Sequence, residues 1–388
     1  MSFTLALSGQ ALLHGPLQPR DDSAVRELLR ADIALCNLEA SVASDAGWPT
    51  KTKTLHLATP AALDSLRALG FSSLAHANNH AFDLGPPGIL ATHAAAKAAG
   101  LSIAGSGLCI AEAIRPSLLP LGAGRQAAIF ALDLGPQPDI VYADTMRAGI
   151  APLRMQRRIA LPPERLHALR EILAELGDDR RLAARQAVGY SAGAAEDGLQ
   201  AFGQHFIDGP SVAAHWQAEP DDFAQLAQSM AAAREAGHFI VLCLHNHHWE
   251  PEWHLTPQWF PALARQLIAA GADVILGTGA PVLQPAQLID GKPVFSGLGN
   301  FAFHTRRSKR YADNKVDVWR SVAVRLHIDE RDRCRAIDVL PIAVGRPAEE
   351  GGSAGAPTPT PLAGSDAAEI LQRFSSNLDD AGRALLNP

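Results

Sequence analysis

The chain is predicted to be an α/β protein. Short apolar runs alternate with Ala- and Leu-rich amphipathic stretches, a strand–helix rhythm that favours parallel βαβ units. Its 388 residues are 47% hydrophobic and 19% charged, enough apolar material for a sizeable core. Polar, histidine-rich segments recur where the predicted strands end, which is where ligands bind in open α/β sheets.

The first strand is read at Phe3–Ser8, followed by a helix at Asp22–Ala31 and a buried strand at Ile33–Asn37. Pro60 opens a helix at Thr59–Ala68, since proline suits a first helical turn, and Gly70 ends it. A strand at Ser72–Ala77, a helix at Pro87–Gly100 and a strand start at Ile103–Ala104 follow. Ala127–Leu132 is a strand, and Leu161–Leu176 has helical periodicity. Residues 177–215 carry many Gly, Ala and Asp and support no assignment. Beyond them come a helix at Asp221–Ala236, an apolar strand at Phe239–Leu244 and a helix at Phe260–Ala270. Strands are read at Asp273–Leu276, Pro293–Phe295 and Val322–His327. The expected organisation is one domain over residues 1–345, a Pro/Gly-rich loop or linker over 346–364, and a helical segment over 365–388.

Charge and composition exclude some classes. A net charge of −6, spread over short clusters, argues against a nucleic-acid partner. No window approaches about 18 uncharged apolar residues, and the N-terminus lacks the basic and apolar regions of a signal peptide. No membrane anchor and a cytoplasmic location are therefore expected. Cys36, Cys109, Cys243 and Cys334 form no CxxC pair, so a zinc ribbon is not expected and a reducing compartment is.

Five strand ends carry the chemistry. Gln10 offers an amide to a ligand or to a turn. Asn37 and Glu39 share one face after a buried strand, where a carboxylate is costly unless paired or bound to metal. Asn78-Asn79-His80 places two amides and an imidazole in a row, and Asp83 is spaced to accept the His80 N–H and fix its tautomer. His245 and His247 project to one side of an extended backbone and suit one divalent ion; His248 and His254 read as structural. Gly297-Leu298-Gly299-Asn300 lets the backbone approach a ligand, with Asn300 bonding the site or shaping the turn. Lys51 and Lys53 are candidates for neutralising an anionic substrate. The cluster Trp249, Trp253, Trp259 and Phe260 would favour a peptide or aromatic substrate if it lines the site.

The segments DIALCNLEASV, LRALGFSSLAHANNHAFDLGPPGILAT, AGADVILGTG, PVLQPAQLIDGKPVF and GLGNFAFH resemble the CapA family, named for poly-γ-glutamate capsule synthesis. The resemblance covers most of the chain, from about residue 3 to 110 and again from 238 to 304. It implies a metallophosphoesterase-like (calcineurin-like) fold, a β-sandwich of mixed sheets flanked by helices. The family's metal positions are an Asp after the first strand, the Glu of an NLE-type motif, the second Asn of NNH, a later His, and two His in a Gly-x-His-Pro-His loop. Glu39, Asn79 and His245 match, and His80 matches the histidine that acts on substrate. Gln10 stands in place of the Asp, and the loop reads Gly277-Thr278-Gly279-Ala280-Pro281, without histidine. The resemblance thus implies at most one well-held ion (Zn, Mn or Fe), bound by Glu39, Asn79, His245 and a recruited His247. Gln10, Asn37, Lys53 and Asn300 are the candidate substrate-binding residues, and His80 with Asp83 the candidate catalytic pair. The expected activity is hydrolysis of an amide or phosphoester bond in a small-molecule or peptide substrate. A peptide epimerase and a non-catalytic binder that kept the fold are the alternatives.

Overall fold

The computed structural model describes residues 2–52, 54–122, 124–137, 139–190, 198–346 and 356–387. Two compact units emerge: Met1–Arg154 together with Pro220–Pro388, and Met155–Glu219.

The larger unit is built on two mixed sheets. In the first, Phe3–Leu12 is central, parallel to Ile33–Leu38 and antiparallel to Arg320–Ile328. Ser73–Ala75 and Ser102–Ala104 extend the parallel side; Cys334–Ala343 extends the antiparallel side. In the second, Arg125–Asp133, Phe239–His245, Val274–Thr278 and Lys292–Phe295 run parallel, with antiparallel Ser117–Gly122 and Ala286–Ile289 at the edges. The α/β expectation is met, but the parallel units are framed by antiparallel strands. The Arg320–Ile328/Cys334–Ala343 pair is a local hairpin, which needs no crossover helix.

Strand alternation explains the layering. Ile33 and Leu35 face one way, into a core shared with Val241, Cys243, Val274, Leu276 and Phe295 of the second sheet. Ala34 and Cys36 face the other way, against Leu63 and Leu66 of the helix Pro60–Leu69. The small residues Ala6, Ala34 and Cys36 let the helices sit close on that outer face. Phe3 meets Phe239 across the inner core with ring centroids 5.0 Å apart. Leu35 is fully buried there, so Leu35→Ala is expected to cost about 2–5 kcal/mol, read as a lower chemical-denaturation midpoint.

The C-terminal region joins this unit. Residues 347–355 of the expected linker lie outside the described residues, but Thr360–Pro361 pairs with Cys334–Ala343. The expected closing helical segment is two helices, Gly364–Ser375 and Asp380–Arg383, followed by a short strand, Leu386–Asn387. Asp379 caps the second helix by accepting from Gly382 N at 2.8 Å. Ile370 and Phe374 enter the shared core.

The unit Met155–Glu219 holds a four-stranded sheet ordered Leu199–Ala201, Gln204–Asp208, Met155–Leu161, Ala213–Ala218, with helices Pro163–Leu176 and Asp178–Ala187. Its strands are short and mostly half-exposed, so they lack the apolar runs that mark the others. Among the described residues, no helix is long and apolar enough to cross a membrane.

Candidate functional site

Strand ends of both sheets converge in the larger unit. Glu39 follows Ile33–Leu38, and its N–H donates to Ala11 O at 3.0 Å. The Asn78-Asn79-His80 turn is stapled onto that strand. Asn78 Nδ2 donates to Leu38 O at 2.7 Å and Asn37 Oδ1 at 3.2 Å, while Asn78 Oδ1 accepts from His80 N at 3.0 Å. His245 ends its strand in register with Asp133 on one neighbour and Thr278 on the other.

This placement brings four donor groups together. His245 Nε2 lies 3.0 Å from His247 Nε2 and 3.0 Å from Asn79 Oδ1. His247 Nε2 lies 3.2 Å from the same Asn79 oxygen, and Glu39 Oε1 is 4.0 Å from His245 Nε2. Among the described residues, Glu39, His245 and His247 are the one group of at least three His, Cys, Asp or Glu spaced to hold a metal. Donor atoms on a tetrahedral ion at about 2.0–2.1 Å are about 3.3 Å apart, close to the spacings of the two imidazoles and the amide.

The electrostatics fit a cation. Glu39 is buried and its Oε2 has no hydrogen-bond partner. Burial, only partly offset by Lys51, pushes its carboxyl up to about 8. Burial, with His247 next in weight, holds His245 well below the usual imidazole range, so it is a neutral donor at pH 7. A buried orphan carboxylate oxygen beside neutral imidazoles is what a divalent ion would satisfy. Thr278 Oγ1 lies 3.1 Å from His245 Nδ1, and the Gln137 side-chain amide lies 2.7 Å from His247 Nδ1. With His245 Nδ1–H donating outward to the Thr278 hydroxyl oxygen, its Nε2 lone pair faces inward. Thr278→Val is expected to weaken metal binding about 10–100-fold, read by competition with a chromophoric chelator.

His80 stands beside this group. Its Nδ1 is 2.8 Å from Asp83 Oδ2, which also accepts from His56 N at 2.7 Å. Asp83 Oδ1 meets Lys51 Nζ at 2.6 Å, and both side chains are buried. Lys51 also donates to Asn79 O. Lys51 therefore anchors Asp83 and the Asn79 backbone from behind. The cavity above has a volume of about 570 Å³. Its lining includes Glu39, Asn79, His80, His247, Trp249 and Arg306.

A model of the family described as bacterial capsule synthesis protein PGA_cap matches residues 5–305. The chain belongs to the PGA_cap family. It is 29% identical over 309 residues, 75% of this chain and 63% of the relative, to an uncharacterized protein of Sinorhizobium fredii. It is 23% identical over 280 residues, 71% of this chain and 57% of the relative, to a probable polyglutamine synthesis accessory protein of Mycobacterium tuberculosis. The chain thus spans less than two thirds of the length of the curated relatives it matches.

Several residues of this PGA_cap protein sit differently from a simple ligand roll. Gln10 lines the cavity, and its Oε1 accepts from Gly279 N at 2.9 Å. Two of the three positions where the family pattern carries other ligands are thus bonded to each other. Gly279 has φ +102, and a Cβ there would meet Asn246 O at 2.3 Å, so a side chain at this position needs a different loop path. Gly9 approaches Gly299 so closely that a Cβ would meet its carbonyl oxygen at 1.7 Å. Asn37 lies beneath Asn78, and Asn300 Nδ2 donates to Val318 O at 3.0 Å; neither lines the cavity. Lys53 lies outside the described residues. His248 Nε2 bonds Leu134 O at 2.9 Å, and His254 is 3.6 Å from Glu252.

The aromatic cluster divides. Trp249 stacks on His247 at 4.9 Å and lines the cavity, Trp253 packs on Trp249 at 4.6 Å, and Phe260 is core. Sequence reasoning passed over Gln137, Thr278, His14, His56 and Asp133. Asp133 carried a usable signal, a carboxylate directly after the apolar run AIFAL, the same signal that marked Glu39. Burial raises Asp133 to about 7, although Gly135 N and Tyr142 OH donate to its Oδ1 at 2.7 and 2.9 Å.

Proposed function

We propose that this PGA_cap protein is a hydrolase with a mononuclear metal centre of the metallophosphoesterase type, acting on an amide or phosphoester bond. The observation that carries this reading is the convergence of Glu39, Asn79, His245 and His247, with an orphaned buried carboxylate oxygen, at a cavity that Glu39, Asn79 and His247 line. A divalent ion there (Zn, Mn or Fe) supplies Lewis acidity toward the target oxygen and toward water.

The chain's own residues do the rest. Asp83 accepts from His80 Nδ1–H, which leaves Nε2 as the working atom of the ring. That atom takes or gives the proton of the reacting group. Lys51 pairs with Asp83 and holds the Asn79 backbone in place. Trp249 braces the His247 ring, and the cavity wall gives one face of the substrate an apolar surface.

Peptide epimerisation needs two bases on opposite faces, and of the two imidazoles the sequence offers for that role His247 is committed to the donor cluster. The Gln10–Gly279 bond favours one metal over two, and this weighs against two-metal phosphoester chemistry and toward amides. A specific test is a substrate screen of the Zn-, Mn- and Fe-loaded protein against peptides, γ-linked amides and phosphodiesters. Turnover that chelator abolishes and metal restores is expected. Turnover indifferent to chelator, or none with any metal, would count against the reading.

A further inference from the structure

The cavity carries a second pair of imidazoles that the metal cluster does not use. His14 and His56 line it beside His80. His14 Nε2 and His56 Nδ1 are 3.0 Å apart, a bond in which one ring donates and the other accepts. Backbone contacts hold both rings in place. His14 N donates to His304 Nδ1 at 2.8 Å, and His14 O accepts from Thr59 N at 3.0 Å. His56 O accepts from Ser41 N at 2.9 Å, and His56 N donates to Asp83 Oδ2, the oxygen that orients His80. The His56 ring meets His80 edge-on, with centroids 4.2 Å apart. Burial, then Arg306 and His80, holds His14 below the usual imidazole value. Burial, followed by His80, His14, Lys51 and Arg307, pushes His56 down to about 2. Both rings are therefore neutral at pH 7, each with one donor and one acceptor nitrogen. Among the described residues, His14 Nδ1 and His56 Nε2 have no partner, and neither is sealed off from the cavity.

We propose that His14 and His56 form a proton relay, in which His56 Nε2 protonates a leaving nitrogen while His80 takes the proton of the attacking water. The inference rests on the hydrolase reading for its reaction and extends it to the second proton transfer that amide cleavage needs. With His14 Nε2–H donating to His56 Nδ1, His56 carries its own proton on Nε2. As the C–N bond breaks, its electron pair stays on nitrogen and takes that Nε2 proton. The His14 Nε2 proton passes to His56 Nδ1, and His14 Nδ1 takes one from water. His80 returns its proton to water, so one water is consumed and no net proton. A reverse pass, in at His56 Nε2 and out at His14 Nδ1, restores both tautomers. Neutral rings suit this work. An imidazolium held near Lys51, Arg306 and Arg307 is costly, so a proton is passed on rather than stored.

The experiment compares turnover of two probes by the metal-loaded full chain, the γ-methylamide and the γ-p-nitrophenyl ester of glutamate. Methylamine needs a proton to leave; p-nitrophenolate does not. His56→Asn keeps a polar atom at the Nδ1 position, and with it the bond to His14, but deletes Nε2. It is expected to lower methylamide turnover about 100-fold and ester turnover less than about threefold, with thermal midpoint and bound metal unchanged. His14→Phe is expected to lower methylamide turnover about tenfold, and added imidazole to restore it. Equal losses on both probes, or no loss on either, would overturn the relay. NMR of the metal-free chain with isotope-labelled histidine separates the two readings. A scalar coupling across the His14 Nε2–His56 Nδ1 bond, lost in His14→Phe, sustains the relay even if neither probe is cleaved and the hydrolase reading falls. No coupling, or a charged ring at pH 7, would overturn it whatever the turnover.

Discussion

Glu39→Gln is expected to weaken metal binding by about 100-fold or more while leaving the metal-free protein no less stable. The loss follows from removing the one anionic donor of the cluster, a larger change than removing an outer partner, which alone costs about 10–100-fold. The second half follows from burial. The Glu39 carboxyl is pushed from 4.5 up to about 8 in the folded chain, so the metal-free fold takes up a proton at neutral pH. A raised folded value means the stability is full below pH 4.5, falls as pH rises, and levels off above about 8. Glu39→Gln removes that fall, so its thermal midpoint is expected to exceed that of metal-free wild type at pH 8.5 and to match it near pH 4. Metal titration followed by Trp249 fluorescence reads the first effect, since Trp249 stacks on His247. Unchanged metal affinity in Glu39→Gln would remove Glu39 from the centre.

His80→Ala is expected to lower turnover by about 10²–10⁴-fold and to leave bound metal in place. His80 lines the cavity but is not part of the donor cluster, so the two readouts separate. Asp83→Asn is expected to fall in the same direction, because an amide at Oδ2 no longer fixes the His80 tautomer and leaves Lys51 Nζ buried without its anion. Since that change also strips a buried ion pair, its thermal midpoint must be measured alongside. Full activity in His80→Ala would show that another group handles the proton.

Much of this was legible in the sequence, for physical reasons. Buried strands such as Phe239–His245 announce themselves by apolar runs, and helices such as Pro60–Leu69 by proline at the start and glycine at the end. Glu39 and the Asn78-Asn79-His80 turn were visible because polar residues directly after buried strands demand partners. Three things were not legible. The hairpin partner Cys334–Ala343 carries Arg335, Asp338 and Pro341, which blur its period. The role of Lys51 depends on a loop folding back so that its ammonium reaches Asp83, 32 positions on, which no local pattern encodes. Arg306, Arg307, Arg310 and Lys315 look like any solvated charge run until one sees that, among the described residues, their side chains stay unpaired while Lys309 pairs with Asp313.

The measurement that tests the central claim most directly is elemental mass spectrometry of the purified full chain, as isolated and after reloading with Zn, Mn or Fe. About one equivalent per chain is expected, lost in Glu39→Ala and His245→Ala. No metal in wild type under any loading would contradict a metal centre, and two equivalents would contradict a mononuclear one.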